Sequence, residues 1–273
     1  MARSSGYRSD EALELVNAAA AIAGAEMKDH EYASAANVSG IRTKTHTFSM
    51  RRDSRTFFLA DQEHGHGRRR GAWTGDKKTV VSACRRALRA SKIPRGEIAG
   101  VDVLTEMGQV AERVSDDEVR VRKPVRLRRV GHARRTVDGI PVWSSYGRVG
   151  LNESGEIGHL EVHWPEIPSA ALKEARVLRA MVDEGFKAPD VAGARPESTE
   201  AGILHSPAIG FFMDVLPAVR VVYRGDQPTV GRKATLFLDR NGDVVSPPRD
   251  VELPQMESRE RPTPKKGNAP KRE

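Results

Sequence analysis

The sequence predicts an α+β fold with two tandem units, each of which lays one helix on an antiparallel sheet. Segments of helical and strand periodicity alternate along the chain, and one strand–turn–strand pattern occurs twice. Leu151-Asn152-Glu153-Ser154-Gly155-Glu156-Ile157 matches Leu238-Asp239-Arg240-Asn241-Gly242-Asp243-Val244 in its apolar, turn and polar positions. We therefore expect a helix and hairpin in residues 1–75, a first unit in 76–167, a second in 168–251 and a disordered basic tail in 252–273.

Three predicted helices rest on apolar residues at helical spacing. The first begins at Ser9 or Asp10, either of which can cap it, and ends near Ala23. The second runs from about residue 76 to 91, with an apolar inner stripe and arginines outside. The third runs from about residue 169 to 184 and opens the second unit.

The predicted strands rest on β-prone runs between turn residues. Residues 40–62 are expected to form a hairpin, and residues 97–104 a single strand. Residues 187–205 are expected to be a loop, because they are rich in proline, glycine and small residues. Strands follow near residues 219–223 and 233–245.

The central stretch, residues 119–164, is predicted to be a run of antiparallel strands. From 119 to 128 apolar and basic residues alternate, with a break at Lys123-Pro124. Strand pleating would place the basic residues on one face. These residues are Arg120, Arg122, Arg126 and Arg128, and Arg134 and Arg135 follow shortly after.

Bulk composition favours acidic partners and excludes some architectures. The 273 residues carry a net charge of +8, which attracts nucleic acid, anionic membranes or acidic proteins. Cys84 is the single cysteine, so no disulfide forms within the chain. The longest apolar run is too short to span a membrane and follows acidic residues, unlike a signal peptide. The expectation is a cytoplasmic protein, the alternative being an exported one whose leader is absent from this sequence.

One part of the chain resembles the PepSY and fungalysin/thermolysin-propeptide (FTP) domain families. The resemblance rests on His132-Ala133-Arg134, on the run from Val137 to Val142, on Tyr146-Gly147-Arg148-Val149-Gly150-Leu151 and on the Gly155 turn. It covers residues 77–164 well and 169–251 loosely. It implies cystatin-like, non-catalytic modules of the kind found in bacterial envelope proteins and in propeptides that inhibit or chaperone proteases.

The predicted partner-binding surface combines the arginines with two aromatic residues. Arginine forms bidentate contacts with carboxylates and phosphates, while Trp143 and Tyr146 follow a turn where aromatic residues often anchor a partner. The full set is Arg120, Arg122, Arg126, Arg128, Arg134, Arg135, Trp143 and Tyr146. A solvated sheet face explains the arginines equally well.

A second candidate site is the alternating segment His159-Leu160-Glu161-Val162-His163. On a strand, His159, Glu161 and His163 share one face and could supply zinc ligands. Alternation between a buried and an exposed face accounts for the same pattern. No cofactor other than this zinc is predicted.

The leading hypothesis is therefore a non-catalytic module that binds an acidic protein or peptide, as an inhibitor or chaperone of a partner enzyme. The alternative is an enzyme whose unfamiliar site, with or without metal, lies in the cleft between the two units. A weaker alternative is nucleic-acid binding through the basic face. The sequence contains no nucleophile elbow, Walker A loop or G-x-G-x-x-G motif to favour a reaction.

Overall fold

The computed structural model of the chain is a mixed α+β fold. It describes residues 2–3, 9–27, 30–35, 38–51, 55–62, 76–109, 111–115, 118–152, 155–207, 213–225 and 233–245. The helices are α1 (Ser9–Ala23), α2 (Lys77–Ala90) and α3 (Ser169–Asp183). The strands are β1 (Ala2–Arg3), β2 (Glu31–Ala35), β3 (Val38–Arg42), β4 (His46–Arg51), β5 (Thr56–Asp61), β6 (Ile98–Gly108), β7 (Ala111–Arg113), β8 (Val119–Val121), β9 (Val125–Val137), β10 (Ile140–Leu151), β11 (Ile157–His163), β12 (Ala194–Pro207), β13 (Met213–Gly225) and β14 (Lys233–Leu238).

Twelve of these strands form one large mixed sheet. Its main path runs β1-β13-β12-β10-β11-β5-β4-β3-β2, with β14 beside β13, β9 beside β10 and β6 beside β9. All pairings are antiparallel except that between β10 and β12. The remaining two described strands, β7 and β8, pair in a separate ribbon.

Helices α1 and α2 bury one face of the central part of the sheet. Val80, Cys84 and Leu88 lie one turn apart on α2 and are fully buried. Asp76 caps the helix by accepting a hydrogen bond from the amide of Thr79 at 2.7 Å. Helix α2 lies so close to the sheet that a Cβ at Gly147 of β10 would be 2.4 Å from Leu88. Position 147 therefore needs glycine.

The hairpin of β9 and β10 turns at Asp138 and Gly139. Both residues have positive φ, 51° and 76°, as a two-residue type I′ turn requires. Beyond the turn, Val142 pairs with Arg135, but the next pair along the hairpin is Tyr146 with Arg134. Three residues of β10 therefore bulge out of the ladder between these two pairs.

This bulge is where the sheet branches. Before it, Val142 pairs with Ile203 of β12, and after it, Tyr146 pairs with His163 of β11. β10 thus exchanges one neighbour for another while β9 stays on its opposite side. α3 packs on the first half of β10 and on β12, where Ala175 and Ile203 are fully buried.

The coarse α+β prediction is confirmed, and so are all three helices and the hairpin within residues 40–62. The loop predicted for residues 187–205 is wrong, because β12 begins at Ala194 and is paired with β13 along its length. The predicted tail, residues 252–273, lies outside the described residues. No described helix is long and apolar enough to cross a membrane.

Gly202 is expected to be essential for the junction between β10 and β12. A Cβ there would lie 2.6 Å from the Trp143 ring and 2.7 Å from the Pro141 carbonyl oxygen. Because a backbone oxygen cannot move without its strand, Gly202→Ala should lower the free energy of unfolding by about 2 kcal/mol. Urea denaturation measures this. Gly96→Ala is the control, since a Cβ at Gly96 meets nothing within 4 Å, and equal stability of the two variants would contradict the expectation.

Candidate binding face

The face of the central sheet opposite α1 and α2 is polar. Because directly paired residues share a face of a sheet, the register of β6, β9, β10, β11 and β5 defines its members. The polar and aromatic members of this polar face are Asp102, Glu106, Arg128, His132, Arg134, Tyr146, Arg148, His159, Glu161, His163 and Phe58, and the register also places Leu104, Val130 and Ala60 on it. No helix covers it within the part of the chain that the structure describes.

Tyr146 lies at the centre of the polar face. Its hydroxyl donates a hydrogen bond to Glu161 at 2.7 Å, and the Arg148 guanidinium lies 4.6 Å from the ring centroid. His132 stacks on it at 6.1 Å and His163 lies 5.7 Å away. Burial, with the Glu161 charge second, raises the pKa of Tyr146, so the phenol remains a neutral hydrogen-bond donor.

The histidines of the polar face are held neutral. Burial lowers the pKa of His163 from 6.5 to about 4, and Arg135 and Arg51 add to the effect. The Thr56 hydroxyl lies 2.8 Å from its Nδ1. Burial also lowers the pKa of His132 and His159, with the nearby charges of Arg148 and Arg128 second in effect.

The bulge adds a buried serine and histidine beside the polar face. The Ser144 Oγ accepts a hydrogen bond from the His205 amide at 2.7 Å and lies 2.7 Å from its Nδ1. Since Ser144 is 4 % and His205 1 % exposed, no substrate reaches this pair, and it holds β10 against β12.

The arginines of the predicted binding surface do not all lie on one element. Arg128 and Arg134 lie on the polar face and are ion-paired with Glu106 and Asp102. Arg120 lies in β8 and Arg122 directly follows it, so both are at the separate ribbon rather than on the large sheet. That they share a partner-binding surface with Arg128 stays a prediction. The side chain of Arg126 lies outside what the structure describes.

Arg135 points to the opposite side of the sheet and is buried. Its Nε and one terminal nitrogen each lie 2.8 Å from Glu97 Oε2, and another nitrogen donates to the Pro165 carbonyl at 2.5 Å. Its guanidinium also lies 5.1 Å from the Trp164 ring centroid. Arg135 is only 5 % exposed and therefore cannot contact a partner at the surface.

Trp143 lies on the bulge and faces the second part of the sheet. Its Nε1 donates to Glu200 at 3.3 Å, Arg220 lies 5.0 Å from its ring centroid, and Phe237 packs at 5.4 Å. The predicted anchor is thus already occupied by intramolecular contacts, while Tyr146 is the aromatic residue among the arginines.

The three residues of the zinc hypothesis do share the polar face. His159 Nε2 lies 4.0 Å from Glu161, but Glu161 is engaged by Tyr146 and His163 by Thr56. Among the described residues, no group of three or more histidine, cysteine or acidic side chains is arranged to hold a metal ion. The zinc site stays a prediction.

Comparison with known proteins identifies the fold but no family. No family model matches the chain, and no curated protein matches it. The crystal structure of an uncharacterized protein from Eubacterium rectale ATCC 33656 is similar, with a TM-score of 0.52 and 12 % sequence identity. The match covers 89 % of this chain and 84 % of that one. At this identity the likeness shows the fold alone.

The resemblance to PepSY and FTP domains is wrong. Of the residues that the structure describes, 52 % lie in strands, most of them in one large mixed sheet that is accompanied by three helices, and these elements do not form helix-on-sheet PepSY-like units. The Val137 to Val142 motif that carried the resemblance is accounted for by the type I′ turn of the β9–β10 hairpin. Many unrelated hairpins need that same turn chemistry, so the motif identified a local structure and no family.

Proposed function

We propose that the protein is a non-catalytic module that binds a protein or peptide partner through the polar face. The observation that carries this proposal is a helix-free sheet surface on which a central tyrosine is surrounded by arginines and histidines. Aromatic and arginine side chains supply most of the energy at protein interfaces. Their mutual contacts at Tyr146 reduce the entropy lost when a partner is bound.

The charge of the chain supports an acidic partner. The net charge is +8, and Arg134 on the polar face is 64 % exposed, although it is paired with Asp102 at 3.0 Å. An exposed ion pair is worth less than about 1 kcal/mol, so a partner carboxylate can replace Asp102 at little cost. Arg148, 3.5 Å from Glu161, is a second cation of the polar face, although its ion pair is less exposed.

The tandem organisation is part of this proposal. Helix α2 packs on β9 and β10, and α3 packs on β12 and β13, which supports two units of similar plan joined through β10. The division at residues 167 and 168 stays a prediction.

Replacing two arginines of the polar face is expected to abolish partner binding. Arg134→Ser with Arg148→Ser removes one exposed and one half-buried donor of the polar face, and we expect at least a tenfold loss of a partner captured from native lysate. The control is Arg176→Ser with Arg179→Ser on α3, which changes the net charge equally. The captured partner is then purified and titrated by calorimetry against the wild type, the Arg134→Ser/Arg148→Ser variant and the control variant.

A second measurement locates the surface in the unmodified chain. When the purified partner is bound, amide hydrogen exchange of this chain should slow in β10 and β11, and the exchange rates in α3 should stay unchanged. Equal affinity of the two double variants, or protection confined to other strands, would overturn the proposal.

A further inference from the structure

The outward face of α2 carries positive charge without any acidic residue. The helix contains five basic residues and no aspartate or glutamate. The five are all exposed and are Lys77, Lys78, Arg85, Arg86 and Arg89. Its inner face is occupied by the buried apolar residues that pack on the sheet.

These five cations contrast with three arginines of the central sheet. Arg128, Arg134 and Arg135 are each ion-paired with a carboxylate. For the five on α2, the nearest carboxylate along the chain is the N-cap Asp76, whose charge interacts with that of Lys78. Within the described residues, none of the five makes a salt bridge. Their charge is therefore open to an external anion, whereas the charge of the sheet arginines is largely neutralised within the protein.

This arrangement is unfavourable for the isolated helix. Arg85 and Arg89 are four residues apart, and Arg86 and Arg89 three apart, so like charges face each other along the helix. Lys77 and Lys78 lie in the first turn, where the helix dipole disfavours positive charge. A surface that served only as a solvated exterior would be more stable with interspersed acidic residues, and an external polyanion relieves both penalties.

The row of charge suits a repeating anion. Lys77 to Arg89 spans about 18 Å at the rise of an α-helix. Beside it lies an open depression of about 330 Å³ whose lining includes Lys78, Ser82 and Arg86. Duplex nucleic acid carries one negative charge for about every 1.7 Å of its axis, so several phosphates lie within reach of one such helix.

The lack of exposed apolar residues on this face favours nucleic acid over a membrane or an acidic protein as its partner. None of the exposed large apolar side chains of the described residues lies on α2. The helix therefore offers neither the apolar wedge that inserts into a membrane nor the buried anchor that dominates a protein interface. Phosphate-backbone binding requires cations alone. We infer that the outward face of α2 binds the phosphate backbone of double-stranded nucleic acid, independently of base sequence.

The test is a salt titration with a labelled mixed-sequence DNA duplex of about 20 base pairs, read by fluorescence anisotropy on the full chain. Log affinity should fall linearly with log salt concentration, by about one unit of slope for each phosphate contacted. The variant Lys78→Gln, Arg85→Gln, Arg86→Gln and Arg89→Gln should bind at least tenfold more weakly, with a slope smaller by about four.

The matched control carries the same charge change at three residues of α3 and at one residue in the loop that follows it: Lys173→Gln, Arg176→Gln, Arg179→Gln and Lys187→Gln. It should bind the duplex like the wild type. Protection of Lys77 and Lys78 from acetylation by bound duplex, measured by mass spectrometry, tests the same surface without any substitution.

Several results would overturn the inference. They are absence of duplex binding by the wild type, equal losses in the two quadruple variants, and unprotected Lys77 and Lys78. Tighter binding to poly-glutamate than to duplex at equal charge would assign the face to an acidic protein. Binding to vesicles containing about 30 % phosphatidylserine, but not to duplex, would assign it to a membrane surface.

Discussion

Acidification from pH 7 to pH 4 is expected to lower the free energy of unfolding by about 3 kcal/mol through His163 alone. Its pKa is 6.5 when solvated and about 4 in the folded protein, and each unit is worth about 1.4 kcal/mol. Above pH 6.5 the ring is neutral in both states. Between pH 6.5 and 4 only the unfolded chain gains the proton, so stability falls through that window and the loss is complete below it.

His205 adds to this effect from inside the bulge. Burial lowers its pKa well below 6.5, and the nearby His163 and Arg135 lower it further. The two rings lie 6.0 Å apart, so protonating one makes protonation of the other less favourable. The folded protein should therefore take up these two protons in separate steps that belong to the pair rather than to either residue, and unfolding removes the coupling between the two rings.

Urea denaturation at pH values from 4 to 8 measures the prediction. His163→Asn cannot take up the proton, so its stability should depend less on pH between 6.5 and 4, even if it is lower at pH 7. His30→Asn, at an exposed position, should leave the wild-type curve unchanged. If His163→Asn loses as much stability on acidification as the wild type, the acid sensitivity lies in other groups.

Arg135→Met is expected to destabilise the protein by about 3 kcal/mol. Removing one member of a buried ion pair leaves the other charge uncompensated, here Glu97, which also accepts a hydrogen bond from Trp164 at 2.9 Å. The substitution also frees the Pro165 carbonyl, which accepts from Arg135. Burial lowers the pKa of Arg135, which reflects the cost of keeping this cation inside.

The neighbouring arginine provides the control. Arg134 also pairs with a carboxylate but is 64 % exposed, so Arg134→Met should change stability by less than about 0.5 kcal/mol. In the double variant Arg135→Met with Glu97→Gln no uncompensated charge remains, and much of the lost stability should return. Equal effects of the two single variants in urea denaturation would show that burial does not distinguish these arginines.

Local sequence signals predicted the elements well where one buried stripe decides the structure. On α2, the spacing of Val80, Cys84 and Leu88 and the cap at Asp76 gave both the element and its orientation. β12 was missed for the opposite reason. Pro196 and Gly202 are typical of loops, but pairing with β13 on one side and contact with β10 on the other override that preference.

The candidate site could be predicted only in part, because of the bulge. The alternation in β11 correctly placed His159, Glu161 and His163 on one face. A regular hairpin turning at Asp138-Gly139, however, would pair Tyr146 with Gly131. The three bulged residues shift the register by an odd number and pair Tyr146 with Arg134 instead, which changes the face it shares. The contact of Tyr146 with His132 therefore could not be read from spacing, whereas Arg148 shares the face of Tyr146 in either register, because the two are two residues apart on one strand.

The branch at β10 also has a consequence for the order in which the chain is made. β10 leaves the ribosome before β12, since β11 and α3 lie between Val142 and its partner Ile203 in the chain. Until β12 is synthesised, the first half of β10 has an open edge with the apolar residues Ile140 and Val142, a template for pairing with another nascent chain. A chain that stops short of β12 is therefore exposed to aggregation, and completion of synthesis closes the edge.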